Sequence, residues 1–225
     1  MKRSEINRYI DEARAFFAEH SFYLPVWVDW TPEEWATKGE ECEEIRRNQL
    51  GWDVTDFAKG DFMKEGLTLV TIRNGNVKYD KKSYCEKIMF VRENQVTPTH
   101  FHWKKMEDII NRGGGTLCIK LWKADAEERP TDEPCTVQID GVTTVVPAGE
   151  VLRIEKGQSI CFEPYMYHQF WSEGGHSMIG EVSTVNDDEN DNRFLEPLGR
   201  YPHIDEDVAP THLMCNEYTR LCLSN

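Results

Sequence analysis

The 225-residue sequence has no long hydrophobic run and no sign of export. No stretch approaches the roughly 18–20 apolar residues that a membrane-spanning helix needs. The charged start, MKRSEINRYIDEARAFF, is not followed by the apolar segment of a signal peptide. The seven cysteines are odd in number and form no CxxC pair, which argues against a disulfide framework. We therefore expect a cytoplasmic protein with reduced thiols and no membrane partner.

Basic residues are scarce and scattered. The sequence has 26 Lys and Arg against 40 Asp and Glu, and no basic run is longer than Lys104-Lys105 or Arg46-Arg47. Because the net charge of −14 would repel a phosphate backbone, we expect no nucleic acid partner. The apolar share of 39% is enough to form a core, so the protein is expected to be globular.

Helical patterns are confined to residues 1–50. Apolar residues recur at helical spacing from Ser4 to His20, with Ser4 as the expected N-cap. A second helix is predicted from Thr31, because Thr-Pro-Glu-Glu supplies a capping hydroxyl, a proline at the first helical position and a carboxylate at the third. We expect these helices to pack outside a sheet.

Short β-rich runs fill residues 51–185. They are separated by turn residues, among them the hairpin signals Asn74-Gly75 and Asp140-Gly141. Many strands without interleaved helices predict an all-β sandwich, jelly roll or barrel. The polar, acidic residues 186–225 are expected to form a cover, either a strap or a functional lid. We interpret residues 1–225 as a single domain.

The clearest chemical pattern is His100-Phe101-His102 followed by Glu107. Alternate residues of a strand face the same side, so both imidazoles should enter one space while Phe101 turns away. After the turn WKKM, Glu107 can return to the same centre. A mixed nitrogen and oxygen set suits a divalent first-row metal such as Mn²⁺, Fe²⁺, Zn²⁺ or Ni²⁺.

A second segment, GQSICFEPYMYH, runs from Gly157 to His168 as a glycine turn, a β run, a proline turn and a histidine. With the first, it resembles the two motifs of the cupin superfamily, and this resemblance makes His168 the fourth ligand. Two departures stand out: the first motif lacks its leading glycine, and Tyr165-Met166 occupies a place where glycine is common.

The similarity extends to the bacterial D-lyxose isomerases, which are cupin sugar isomerases. It rests on Tyr84-Cys85-Glu86-Lys87, Lys105-Met106-Glu107, Gly180-Glu181-Val182-Ser183-Thr184 and Arg193-Phe194. The resemblance implies a cupin jelly-roll barrel, one divalent metal per chain with Mn²⁺ favoured over Zn²⁺, Fe²⁺, Co²⁺ or Ni²⁺, and a homodimer. It implies interconversion of D-lyxose and D-xylulose, and of D-mannose and D-fructose, through a cis-enediol.

Two further residues are candidates for catalysis. Glu181 shares a strand face with Ser183, and an inward carboxylate is costly unless it is used or paired, so it is either the base or a paired structural acid. Lys87, if it points inward, could stabilise an enediolate. The alternative for Lys87 is a solvated surface position.

Substrate contacts are expected from Lys105, Arg193 and Glu206. Lys105 lies two residues before a metal ligand, and Glu206 lies in the cover segment. Arg193 could instead anchor that segment through a carboxylate. Two other functions fit the same ligands, namely an Fe(II) cupin dioxygenase and a non-catalytic sugar-binding module.

Overall fold

The computed structural model describes residues 1–79 and 81–218. Its helices are α1 (Arg3–Glu19), α2 (Pro32–Trp35) and α3 (Glu43–Arg47), with 3₁₀ turns at Val26–Asp29 and Glu40–Cys42. The strands are β1 (Gly51–Thr55), β2 (Leu67–Asn74), β3 (Tyr84–Val91), β4 (Thr97–Phe101), β5 (Glu107–Lys123), β6 (Cys135–Ile139), β7 (Val142–Val146), β8 (Leu152–Ile154), β9 (Ser159–Phe162), β10 (Met166–Thr184) and β11 (Arg193–Phe194).

The strands form one antiparallel sheet in the order β1-β2-β3-β10-β5-β9-β6-β7, with β4 paired to β10 and β8 to β5. Strands β5 and β10 pair along nearly their whole length, with irregularities near Gly113-Gly114. The Asp140-Gly141 turn joins β6 to β7, and both residues take positive φ as such a hairpin requires. The all-β prediction is confirmed.

Two apolar layers hold the fold together. One fills the interior between the sheet halves and includes Leu69, Ile109 and Phe162. The other lies between α1 and the outer face of β1–β3, where Ile10 and Phe17 are buried. Burial of such side chains contributes roughly 1.5–3 kcal/mol each. The helices therefore pack outside the barrel, as predicted.

The N-terminal helix begins two residues earlier than the expected cap at Ser4 implies. Lys2 is the N-cap, and its backbone N–H donates to the carboxylate of Glu5. The hydroxyl of Ser4, expected as the cap, donates instead to Asp207 of the C-terminal segment. The prediction at Thr31 is confirmed, since its hydroxyl accepts from the N–H of Glu34.

The segment from residue 186 to 218 is a cover. Strand β11 pairs with β4 at the mouth of the barrel, and Met214 bridges to Trp52 on the edge strand β1. The buried Arg3 of α1 binds Glu217 at 2.5 Å, which ties the two ends of the described chain together. Within residues 1–79 and 81–218, no helix has the length and apolar character needed to cross a membrane.

Candidate active site

Three histidines converge inside the barrel. His100 on β4 lies directly opposite His168 on β10, and His102 follows the end of β4. The N–H of Tyr165 donates to the carbonyl of His102 at 2.9 Å, which joins the two motifs, and Tyr165 takes a left-handed φ of 62°. One ring nitrogen from each histidine lies within 4.8 Å of the others.

The orientation of each ring is fixed by the backbone. Each Nδ1 lies 2.5–3.1 Å from a carbonyl oxygen, that of Pro98 for His100, Asp191 for His102 and Met166 for His168. Since a carbonyl only accepts, each Nδ1 carries a proton, and in the neutral ring this leaves the lone pair on Nε2. Burial also lowers the pKa of His100 and His102, which keeps both rings neutral.

Glu107 completes the set. Its Oε1 lies 3.4 Å from Nε2 of His102 and 3.2 Å from Nε2 of His168. Burial would raise the pKa of Glu107, but Lys105 and His102 hold it well below its usual value, so the carboxylate is charged. Oε1 of Glu107 and Nε2 of His102 are buried without a hydrogen-bond partner. Acceptors that face each other in this way are costly unless a cation lies between them, so the four residues fit a divalent metal.

A row of alternating charges extends from the ligands along the cavity. Nζ of Lys105 lies 2.7 Å from Oε2 of Glu107 and 3.0 Å from Oε1 of Glu181. Glu181 on β10 is opposite Lys87 on β3, whose Nζ lies 3.6 Å from the same Oε1. Both lysines and both glutamates are buried, so each charge depends on its partners.

The row continues into the cover. Asp188 lies 3.7 Å from Nζ of Lys87 and 3.1 Å from Nη2 of Arg200, which also binds Asp53 on β1. Burial would raise the pKa of Asp188, but Arg200 and Lys87 hold it well below its usual value. Burial would lower the pKa of Lys87, but Asp188 and Glu181 raise it. Lys87 and Asp188 are therefore both charged at neutral pH.

The loop of residues 186–192 positions this row. Oδ1 of Asn186 accepts from Nζ of Lys87 at 2.7 Å and from Nζ of Lys105 at 3.3 Å. The carboxylate of Asp191 accepts from the backbone N–H groups of Lys104 and Lys105. Sequence reasoning missed Asn186, Asp188 and Arg200, because nothing in the run NDDENDN distinguishes a buried acid from a solvated one.

One cavity contains both the three histidines and the charge row that begins at Glu107. It encloses about 490 Å³, including its open mouth, within the range usual for small-molecule sites. Its polar walls bring together seven residues predicted from the sequence, namely Lys87, His100, His102, Lys105, Glu107, His168 and Glu181. Its apolar walls include Phe57, Leu69, Phe170 and Phe194.

Two predicted substrate residues do not line this cavity. Nε of Arg193 binds Glu128 at 3.0 Å, because β11 turns the side chain outward at the rim of the barrel. Glu206 binds the buried Arg3 at 2.7 Å, beside α1. Each residue therefore has an ion-pair partner, and its contact with substrate stays a prediction. Their assignment to substrate binding gains no support from the geometry.

Three histidines and one glutamate inside an antiparallel barrel of the cupin type form a site whose histidines could hold a metal ion. The sequence profile of the D-lyxose isomerases matches residues 1–218, and the chain belongs to this family. It is an aldose–ketose isomerase, as the resemblance of its motifs predicted.

Curated relatives support the same family. A D-lyxose/D-mannose isomerase of Escherichia coli O157:H7 is 49% identical over 97% of this chain and 98% of its own length. A D-lyxose/D-mannose isomerase of Serratia proteamaculans is 47% identical over 98% of this chain and 99% of its own length. Among solved structures, L-ribose isomerase of Cellulomonas parahominis shares the fold, with a TM-score of 0.59 and 18% identity over 91% of this chain and 98% of that one.

Proposed function

We propose that this chain interconverts D-lyxose and D-xylulose, and also D-mannose and D-fructose, with Glu181 as the base. The observation that carries the proposal is the place of Glu181, whose carboxylate lines the cavity of the metal ligands but is separated from Glu107 by Lys105. The names of the two curated relatives support these sugars as substrates.

A divalent metal, with Mn²⁺ favoured, would be held by His100, His102, Glu107 and His168. When bound, it would polarise the carbonyl and the neighbouring hydroxyl oxygen of the sugar, which lowers the barrier to an enediol. Ligand chemistry narrows the metal to first-row ions such as Mn²⁺, Fe²⁺, Co²⁺, Ni²⁺ or Zn²⁺. The choice of Mn²⁺ comes from the family resemblance.

Glu181 is oriented for proton transfer. Lys105, Lys87 and Ser183 all contact its Oε1, and within the described residues no hydrogen bond is made to its Oε2. Oε2 can therefore take the C2 proton of the aldose, exchange it with solvent and deliver a proton to C1, while the proton of the C2 hydroxyl passes to O1. The product is the ketose, reached through a cis-enediol.

The two lysines stabilise the negative charges of the reaction. Lys87 and Lys105 hold the base in one orientation through its Oε1 and supply positive charge for the enediolate that forms as the C2 proton leaves. Burial would lower the pKa of Lys105, but the carboxylates of Glu107 and Glu181 raise it, so it remains charged throughout. We assign Lys105 a contact with the sugar as well, since it lines the cavity.

The reaction is tested with purified, Mn²⁺-loaded protein and D-lyxose in D₂O. We expect D-xylulose with deuterium at C1, because a carboxylate exchanges its proton with solvent. Ketose without deuterium would contradict the enediol and support a hydride shift. Absence of ketose with each of the five metals would contradict the function, and oxygen consumption with Fe²⁺ would identify a dioxygenase instead.

We also propose a cytoplasmic homodimer. The six cysteines within the described residues are all free thiols, five of them buried, as suits a reducing compartment. The dimer follows from the family resemblance alone. Sedimentation equilibrium of the purified protein tests it, and a monomer at micromolar concentration would contradict it.

A further inference from the structure

Six buried side-chain atoms have no hydrogen-bond partner within residues 1–79 and 81–218. They are Oγ1 of Thr97, Nε2 of His102, Oε1 of Glu107, Oγ1 of Thr131, Nη1 of Arg200 and Oη of Tyr201. Four of these six residues line the same cavity. A buried polar atom without a partner costs about 1–3 kcal/mol, so a cluster of them in one cavity points to a ligand that satisfies them.

The metal accounts for only two of the four. Nε2 of His102 and Oε1 of Glu107 face each other at 3.4 Å and fit a cation. Arg200 does not suit that centre, because its guanidinium group is itself a cation. Thr97 is not needed there, because the three histidines and Glu107 already offer four ligand atoms. Their free atoms need a different partner, one that offers hydroxyl oxygens.

Thr97 begins β4, the strand that carries His100, and its side chain lines the cavity. The residue is 3% exposed, so water outside the cavity does not reach its hydroxyl. A threonine hydroxyl both donates and accepts, which matches the hydroxyl of a sugar in either direction. Thr97 thus has a hydroxyl group without a hydrogen-bond partner on the same strand as His100.

Arg200 approaches from the cover. Its Nη2 is bound to Asp53 and Asp188, whose two carboxylates offset the positive charge, while Nη1 remains without a partner. Along the charge row Arg200 is the member furthest from Glu107. A donor whose charge is already compensated suits a neutral hydroxyl better than a phosphate group.

We propose that Thr97 and Arg200 bind hydroxyl groups of the sugar beyond C2. This inference rests on the proposed isomerase function, which assigns O1 and O2 to the metal side of the cavity. The two residues determine the affinity for the sugar and position its carbon chain, while Glu181 carries out the proton transfer.

Thr97→Val is the sharpest test, because valine keeps the shape of threonine and removes only the hydroxyl. The matched control is Thr131→Val, which removes a buried, unpartnered hydroxyl outside the cavity. Loss of one hydrogen bond to the sugar should lower kcat/KM for D-lyxose about tenfold in Thr97→Val and leave Thr131→Val unchanged.

A binding measurement separates affinity from turnover. D-Arabinitol, the alditol of D-lyxose, has the hydroxyls but no carbonyl, and titration calorimetry gives its Kd. We expect that Kd to rise about tenfold in Thr97→Val and to stay constant in Thr131→Val. Equal affinity of the wild type and Thr97→Val would overturn the role of Thr97.

Arg200 is tested by Arg200→Lys, which keeps a cation for Asp53 and Asp188 but lacks the second terminal nitrogen, the counterpart of Nη1, as a hydrogen-bond donor. We expect KM for D-lyxose to rise about tenfold while kcat changes less than about threefold, with Arg153→Lys on the outer surface as control. A fall in kcat with unchanged KM would show a purely structural role and contradict the proposal.

Failure of this inference differs from failure of the function. A wild-type protein that makes no ketose contradicts the proposed isomerisation. A wild-type protein that makes ketose, with Thr97→Val and Arg200→Lys equal to it in KM and in D-arabinitol affinity, contradicts only the hydroxyl-binding roles.

Discussion

The two parts of the cavity are held in place by different means. In the metal part, backbone carbonyls fix all three imidazoles through Nδ1, and two of those carbonyls come from Pro98 and Met166, within two residues of the ring they hold. In the charge row, side chains hold side chains, and Asn186 and Asp188 come from a loop that crosses the barrel mouth. The first part is therefore built into the strands, whereas the second depends on the cover.

Because of this difference, we expect metal binding and proton transfer to depend on different parts of the cavity. A change in the loop of residues 186–192 should alter the base and the lysines while leaving most of the ligand set intact. The exception is His102, whose Nδ1 donates to the carbonyl of Asp191 in that loop. Lys105 links the two parts, since it contacts Glu107 on one side and Glu181 on the other.

The largest effect is expected from His168→Ala, which removes a ligand from the strand-built part. Altered contacts around a metal ligand already cost about 10–100-fold in affinity, so losing the ligand itself should abolish stoichiometric metal and measurable turnover. Elemental analysis after dialysis measures the metal. A variant with one metal per chain would show that the three remaining residues suffice.

Glu181→Gln should break the charge row without disturbing the metal. General base catalysis contributes about 10²–10⁴-fold, and kcat for D-lyxose should fall by that amount at full metal content. Glutamine keeps the length of the side chain and an oxygen that can accept from Lys105, and circular dichroism of the variant checks its fold. Near-normal kcat with bound metal would contradict the assignment of Glu181 as the base.

Asn186→Ala tests the dependence on the cover. Its amide oxygen accepts from two ammonium groups, and hydrogen bonds to charged groups contribute about 1.5–3 kcal/mol, so kcat should fall about tenfold with unchanged metal content. Asn190→Ala is the control, since its side chain binds only Asp187 within the loop. Loss of metal in Asn186→Ala would show that the two parts are not independent.

The metal part was largely predictable from the sequence because its residues are close together in the chain. His100 and His102 follow from the spacing of a strand, Glu107 follows after a short turn, and the resemblance to the second cupin motif supplied His168. The strand spacing held even though His102 lies just past the end of β4.

The charge row was predictable only in part. Lys87 and Glu181 were suggested by inward strand positions, but Asn186 is 99 residues from Lys87 and Arg200 is 147 residues from Asp53, and no local pattern predicts such pairs. Arg193 was chosen from the family resemblance and Glu206 from its place in the cover segment. The path of the chain, which sequence patterns do not give, decides which residues of that segment face the cavity.

Asp188→Asn tests the charge row through stability. The native pKa of Asp188 lies well below the ordinary 3.8, because Arg200 and Lys87 outweigh the effect of burial. Its ionised form therefore stabilises the fold above pH 3.8, and this contribution is lost as the pH falls from 3.8 towards the native pKa. In urea unfolding of metal-free protein, the difference between wild type and Asp188→Asn should shrink below pH 3.8. A constant difference would contradict the ion pairs.

The smallest effect is expected from Glu206→Gln, which lies outside both parts of the site. Its side chain is 43% exposed, and Arg3 keeps its ion pair with Glu217 in the variant. The free energy of unfolding should therefore change by less than about 1 kcal/mol. KM and kcat for D-lyxose should match the wild type, because Arg3 and Glu206 do not line the cavity. A raised KM would show that the cover brings Glu206 to the sugar during the reaction. The division between a strand-built metal part and a loop-held charge row would then have to include a moving cover.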